Sequence, residues 1–506
     1  MDETHLFFVF VLSLFSLTYL LKLIIHKKTR NLPPSPPSLP IIGHLHLING
    51  PVHRVLQHLA SKYGPIMSLW FGSRPVVVIT SPSAVHECFT KNDIILANRP
   101  LLLSGKYDKY NHPGLGFAPY GHLWRDIRRI MTLEVFSTTR LKHYMGVREH
   151  EVRSLVKGLF RDCVQDFSIV EMRSRIQGLP FNIIMNIIAG KRLYETDLEV
   201  LKEASLFKDV IKDILEVSGV SNPADFIPFL RWIDFQGLEK RLLRFQKQSD
   251  SFSKNLIEKC KRKRIGRAKE RGKGATFIDA MLSLHESEPE YYTNDIVKGI
   301  ILTLFRAGTD TTSVTIEWAM SLLLNHPDVL EKARAHIDKY VGNERLVQEN
   351  DLPNLPYIQC IINETLRLFP SVPLLLPHEA SKNCTIGGFD VASGTMVLVN
   401  VWAINRDKMV WDDPLSFKPE RFEKAATEGY RFIPFGTGRR QCPGAGLASR
   451  VIGLALASLV QCFEWERVSE ELVRLTEGKG LTMPKDEPLK AMCKPRQIMS
   501  RVLMDL

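Results

Sequence analysis

The side chains best able to do chemistry in this sequence lie in five short stretches. In FGTGRRQCPGAGLA, residues 435–448, the cysteine Cys442 is flanked by Gly436, Gly438, Gly444 and Gly446 and preceded by Arg439 and Arg440. A thiolate is a soft metal ligand, stabilised by backbone N–H groups and nearby positive charge. Glycines let backbone come close to a flat group where side chains would clash. Arg440 can pair with a carboxylate on such a group, while Arg439 can face a partner. For Cys442 taken alone, an inert cysteine in a buried turn is the alternative. In AGTDTT, residues 307–312, a glycine, three threonines and an acid interrupt an apolar helical run. This is poor helix chemistry, at about 1 kcal/mol for the glycine, and buried hydroxyls and carboxylates require partners. Room beside Gly308, with Asp310 and Thr311 to pass protons, suits a site that handles O₂. Threonines bonded back to their own helix, with Asp310 in solvent, are the plainer alternative.

ETLR, residues 364–367, puts Glu364 and Arg367 three apart on one helix face, where they can pair, and Arg421 of PERF (419–422) can complete a buried triad. Its expected role is structural, beneath the cysteine loop. In WRDIRR, residues 124–129, Trp124 and Arg128 are four apart and can reach one acidic group together; an ordinary amphipathic helix is the alternative.

These residues need a scaffold. Apolar positions recur at helical spacing over 146–165, 199–219, 237–264, 294–325, 327–340, 357–369 and 443–462. β-rich runs occupy 66–71, 75–80, 384–391 and 395–400, the first two joined by a GSR turn that suits a hairpin. The fold class is therefore mainly α with a small β-subdomain. The 506 residues carry a formal net charge of +12, which suits an anionic membrane surface, an acidic protein partner or nucleic acid. The basic stretch 259–274 has nine Lys/Arg against one Glu but no interleaved aromatics, and reads as a solvated loop or helix end. No nucleic-acid partner is expected. Eight scattered cysteines without a C-x-x-C pair argue against a disulfide framework or structural zinc.

The N-terminal run 6–25 is long enough to cross a bilayer, with Lys22 as its one charge. Acids precede it, bases follow it and no small-residue cleavage site appears, so residues 1–30 read as an uncleaved anchor with the rest of the chain cytosolic. Five prolines between 31 and 40 make 31–45 a stiff hinge before a single domain over 46–506.

The ordered set of motifs resembles the cytochrome P-450 family. Phe435, Gly438, Arg440, Cys442 and Gly444 meet F-x-x-G-x-R-x-C-x-G residue for residue, with AGTDTT, ETLR, PERF and the W-x-x-x-R of Trp124 and Arg128 in family order. NLPPSPPSLPIIGHLHLI, FTKNDIILANRP and TIEWAMSLLLNHP are similar to the plant microsomal subgroup of isoflavone 2'-hydroxylases and lignan-ring oxidases such as sesamin synthase. The resemblance implies the family fold and haem b, with Cys442 as axial thiolate, Phe435 near the sulfur, and Trp124, Arg128 and Arg440 on the propionates. His378 stands where many relatives carry Arg and is expected at a propionate too. Asp310 and Thr311 fit the acid–alcohol pair that delivers protons during O₂ activation, while Arg306 departs from the usual apolar residue. By family position the substrate meets Leu103, Phe117, Phe207, Ala307, Leu375 and Met483, an apolar lining suited to a phenolic or terpenoid molecule. The implied reaction is monooxygenation of a plant metabolite, with oxidative ring closure as the alternative and a non-oxygenating haem protein behind it. With no convincing G-x-G-x-x-G after a strand, electrons are expected from a separate NADPH-cytochrome P-450 reductase at the endoplasmic reticulum membrane.

Overall fold

Residues 76–79, VVVI, are four β-branched residues in a row, a pattern that fits a strand covered on both faces. In the computed structural model the strand Arg74–Ile79 is central. It pairs antiparallel with Ile66–Phe71, Ile66 opposite Ile79, and parallel with Met396–Val399, Val76 opposite Met396. His378–Glu379 adds a short antiparallel edge strand, His378 opposite Val397. The expected GSR turn is present, and only glycine serves at Gly72, whose φ is +53° and whose added Cβ would sit 2.1 Å from the Phe226 carbonyl oxygen. The run 384–391 folds into a two-stranded hairpin, Cys384–Ile386 with Phe389–Val391. A third sheet, Ser168–Glu171, Lys490–Pro495 and Phe463–Glu466, has no counterpart in the β-rich runs of the sequence.

The structure describes residues 31–103, 114–163, 166–190, 223–227, 229–232, 234, 237–266, 276–423 and 429–506, with isolated positions at 13, 14, 205, 206, 209, 211 and 215. The anchor 1–30 apart from positions 13 and 14, Phe207, residues 267–274 of the basic stretch and most of the expected helix 199–219 lie outside them. Helices form over Met145–Asp162, Leu238–Gly266, Pro327–Tyr340, Pro356–Leu368 and Ala445–Cys462, close to the periodic segments. His122–Met131 carries WRDIRR, and Gly178–Ala189 is a further helix, buried along almost its whole length. Ala445–Cys462 has the length and hydropathy of a membrane span, yet 72% of it is buried inside the protein, which makes it a core helix.

The long helix expected over 294–325 is two helices, Asn294–Gly308 and Asp310–Asn325, interrupted at Thr309. The interruption has a local cause. The hydroxyls of Thr309, Thr311, Thr312, Ser313 and Thr315 each donate to the carbonyl four residues back, at 2.8–3.1 Å. Such back-bonding competes with the helical ladder and bends helices. Gly308 permits close packing: a Cβ there would stand 2.5 Å from Ile184 Cδ1 on Gly178–Ala189. That isoleucine fills the place of the missing side chain, and Gly308 itself also lines an interior cavity.

Candidate active site

Cys442 begins the site. Its backbone N–H donates to the Phe435 carbonyl at 2.9 Å, closing the loop into a tight turn. Gly436 and Gly438 have φ of +67° and +69°, which a side chain would strain, and a Cβ on Gly438 would also stand 2.5 Å from Asp93 Oδ1. Gly444 and Gly446 meet only ordinary or slightly tight neighbours, so two of the four loop glycines answer to backbone conformation. The sulfur sits at the N-terminus of Ala445–Cys462, where the N–H groups of Gly444 and Ala445 point at it. Its accessible surface opens onto an interior cavity, so protein surrounds a thiol that is formally exposed. Desolvation therefore raises the thiol pKa, while Gly444 N–H, the Arg128 guanidinium and Ala445 N–H each pull it back. These groups favour a thiolate as soon as a cation takes the place of the proton.

The cavity measures about 310 Å³ and joins the sulfur to the interrupted helix. Three guanidiniums share one wall. Arg128 Nη1 donates to the Gln441 carbonyl at 2.7 Å. Arg440 Nε, Nη1 and Nη2 donate to the carbonyls of Ala97, Leu115 and Ala118 at 2.6, 3.2 and 2.6 Å, and its guanidinium lies 4.3 Å from the Trp124 ring centroid. Trp124 Nε1 donates to the Leu115 carbonyl at 3.0 Å. The third cation, Arg99, escaped the sequence reading. Its side chain donates to the carbonyls of Gly116, Leu376 and Pro377. Burial pushes the pKa of Arg99 well down, with Arg440 adding to the shift, and that of Arg440 down to about 10, with Arg128 adding to it. His378 is buried, with Nδ1 2.7 Å from the Leu96 carbonyl oxygen, and burial followed by Arg99 holds it neutral. No Asp or Glu lines the cavity, and none of the three arginines is ion-paired among the described residues. Such a wall fits a ligand that brings its own carboxylates. Backbone carbonyls orient Arg440, Arg128 and Trp124 along this wall. Arg439, expected to face a partner, pairs with Asp93 at 3.1 Å while half-exposed.

The rest of the cavity wall includes Phe117, Ala307, Thr311, Leu375 and, from the cysteine loop itself, Phe435, with Ile183, Ile184 and Ile187 from the helix Gly178–Ala189. Leu375 has a left-handed φ of +53°, a strained conformation for a leucine, held by its N–H bond to the Val372 carbonyl. Arg306 also lines this side, with its guanidinium 5.1 Å from the Phe245 ring centroid and 5.9 Å from that of Phe117. Leu103 and Met483 do not line it: both are packed in the core, and just before Met483 it is Leu481 and Thr482 that face the space. Thr311 Oγ1 donates to Ala307 at 2.8 Å, and Asp310 accepts from Thr482 Oγ1 at 2.6 Å. Asp310 is half-buried, not in solvent, and does not itself line the cavity.

Below the loop, Glu364 accepts from Arg367 Nε and Nη2 at 2.7 and 2.9 Å, from Arg421 Nε at 2.9 Å and from the Lys418 N–H at 2.8 Å. Arg367 also donates to the carbonyls of Asn405, Pro414 and Ser416. Every donor has an acceptor, which is the condition for a buried ion cluster to persist.

A cysteine thiol at a helix N-terminus, an acid-free wall of arginines and an apolar vault over both define a haem-thiolate protein. The chain belongs to the cytochrome P-450 family, whose model matches residues 33–490. It is 51% identical over 480 residues to a (+)-piperitol/(+)-sesamin synthase of Sesamum radiatum, covering 93% of this chain and 92% of that protein. It is 48% identical to an isoflavone 2'-hydroxylase of Glycyrrhiza echinata, covering 98% and 97%. A zebra fish cytochrome P-450 solved with progesterone superposes with a TM-score of 0.76 at 27% identity, covering 88% of this chain and 100% of that one. The protein is a monooxygenase of class EC 1.14 with haem b as its cofactor. It uses O₂, an organic substrate and a redox partner.

Proposed function

We propose that the enzyme oxidises an apolar plant phenylpropanoid, flavonoid or lignan, with terpenoids as a further possibility in shape, and that NADPH-cytochrome P-450 reductase supplies its electrons. The observation that carries this reading is the single cavity in which the Cys442 thiol, the arginine wall and an isoleucine- and phenylalanine-rich vault meet. Haem b bound through a thiolate supplies O₂ activation and transfer of one oxygen atom to the substrate. The residues do the rest. Cys442 ligates through sulfur, its charge eased by two backbone N–H groups. Arg99, Arg128 and Arg440, with Trp124 and neutral His378 beside them, hold the propionates, and their carbonyl bonds keep the guanidiniums from turning away. The apolar vault excludes water and orients a flat substrate by shape. Thr311 offers a hydroxyl at the cavity surface and Asp310 a carboxylate one hydrogen bond behind Thr482, and Thr311 with Asp310 is the pair we assign to proton delivery.

Relatives whose names specify aromatic hydroxylation and lignan ring closure support the substrate class. Either outcome starts from the same oxidant, so both reactions belong to one test. Membranes containing the protein and a plant reductase are given NADPH and a panel of isoflavones, lignans and triterpenes. Hydroxylated or methylenedioxy-bridged product from the aromatic members is expected. Turnover of triterpenes alone would overturn the aromatic assignment, and absence of the red-shifted band in the reduced carbon-monoxide spectrum would overturn the thiolate site.

A further inference from the structure

Thr482 belongs to none of the motifs, yet it is the residue that connects Asp310 to the cavity. The chain around it is fixed from both sides. Leu481 N–H donates to the Leu215 carbonyl at 3.0 Å, Met483 N–H to the Ser371 carbonyl at 2.9 Å, and the Met483 carbonyl accepts from Trp318 Nε1 at 2.8 Å. Here the side chains part: Met483 enters the core, while Thr482, like Leu481 before it, faces the cavity beside the interrupted helix. A β-branched side chain on so constrained a backbone has few rotamers. Thr482 is 6% exposed, and its Oγ1 donates to Asp310 Oδ2 at 2.6 Å, a charge-assisted bond between positions 172 apart in sequence.

The geometry around the cavity gives this bond a function. Thr482 and Thr311 line the cavity and Asp310 does not. A hydroxyl that donates to a carboxylate keeps lone pairs with which to accept, so a proton moving between the cavity and Asp310 can pass through this one oxygen. We propose that Thr482 is a positioning residue for Asp310, holding the carboxylate against the helix interruption and linking it to the cavity. This rests on the assignment of Asp310 to proton delivery.

The test uses full-length holoenzyme with reductase and four variants: Thr482→Val, Thr482→Ser, Asp310→Asn and the Val/Asn double. Product and hydrogen peroxide per NADPH are read in turnover, and thermal midpoints of the resting holoenzyme are read without it. Thr482→Val should lower product per NADPH by on the order of 10–10²-fold, since a misplaced catalytic group costs up to about 10²-fold, with peroxide rising in step. Thr482→Ser should restore most of the coupling. The double variant should couple no worse than Asp310→Asn, because once the carboxylate is gone the hydroxyl has no acid left to position. Thr482→Ala reads the same loss of hydroxyl should the valine fail to load haem. Parent-like coupling in Thr482→Val beside an uncoupled Asp310→Asn would overturn this inference and leave the role of Asp310 standing. Parent-like coupling in Asp310→Asn would remove both. Additive losses in the double variant, or a serine as poor as the valine, would also overturn it, since the hydroxyl would then act independently of the acid or only by packing.

Discussion

At the scale of single residues, the cysteine loop separates groups that look alike in sequence. Serine at 442 keeps the size and the backbone bonds but replaces a soft sulfur by a hard oxygen, so Cys442→Ser should abolish both the red-shifted carbon-monoxide band and turnover. A normal band in that variant would assign the iron to another ligand. The adjacent arginines diverge for a different reason. Arg440 satisfies three backbone carbonyls in a desolvated setting, whereas Arg439 pairs at a half-exposed surface. Arg440→Ala should therefore cost about 1–3 kcal/mol per stranded acceptor, and Arg439→Ala about 0–1 kcal/mol. Denaturant midpoints of the two variants check the order; equal losses would mean that the carbonyl bonds of Arg440 contribute little. For the proton-delivery pair, Thr311→Ala and Asp310→Asn should keep haem binding. Both should lose product over a range of about 10²–10⁴-fold, with NADPH diverted to hydrogen peroxide. Unchanged coupling in both would reduce AGTDTT to a packing motif.

At the scale of elements, what could be read in the sequence depended on how far apart the partners are. Glu364 and Arg367 sit one turn apart, so their pairing is written in ETLR itself, and the helix ends and hairpin turn follow from local chemistry. The helix interruption was half legible: AGTDTT marks the place, but five hydroxyls turning back on their own carbonyls become visible only in three dimensions. Arg99 and Thr482 were illegible because their partners lie far along the chain: Arg99 bonds Leu376 and Pro377, 277 and 278 positions away, and Thr482 bonds Asp310 across 172. Choosing apolar residues for the lining selects Met483, whereas the cavity is met by Leu481 and the polar Thr482 just before it. Elements are also joined by charge. Glu477 accepts from His53 and Arg54 of the helix Val52–Tyr63 at 2.8 Å each, and from Trp402 Nε1 at 2.9 Å. Burial alone would raise its pKa, but the bonds to His53 and Arg54 outweigh burial and hold it down to about 2. A depressed carboxylate pKa stabilises the fold above the unfolded-state value and loses that contribution as pH falls toward the folded one. The parent should thus lose stability from about pH 4.5 toward pH 2, the interval between the ordinary and folded values. Glu477→Gln should show a shallower loss there, measured as thermal midpoint against pH; an identical slope would remove this cluster from the acid response.

At the scale of the whole molecule, the question is where the globule begins. The proline run, read from the sequence as a stiff hinge, is attached along its length. Asn31 N–H donates to Asp390 Oδ2 and its Nδ2 to the Gly388 carbonyl, both at 2.9 Å, and the Asp390 N–H returns to the Asn31 carbonyl at 2.7 Å. Pro33 and Pro36 are buried, and the Pro34 carbonyl accepts from Ser68 N–H at 2.8 Å. Beyond them His44 donates its backbone N–H to the Trp70 carbonyl and takes the Trp70 N–H on Nδ1, both at 2.7 Å, and at Gly43 a Cβ would stand 2.3 Å from the Trp70 carbonyl oxygen. These contacts fasten residues 31–45 to the outer strand of the main sheet and to the small hairpin. Two truncations therefore have different expected outcomes. Removing 1–30 takes away the apolar run alone: the protein should leave the membrane fraction, keep its thermal midpoint and still incorporate haem. Removing 1–45 also strips hydrogen bonds from the sheet edge and uncovers buried apolar surface at about 25 cal/mol per Å², so the midpoint should fall and haem loading with it. Sedimentation of membranes, haem content and thermal midpoints of the two truncations distinguish the roles. Equal loss of haem in both would place the first thirty residues in the fold, and no difference in midpoint between them would make the proline segment a hinge free of the globule.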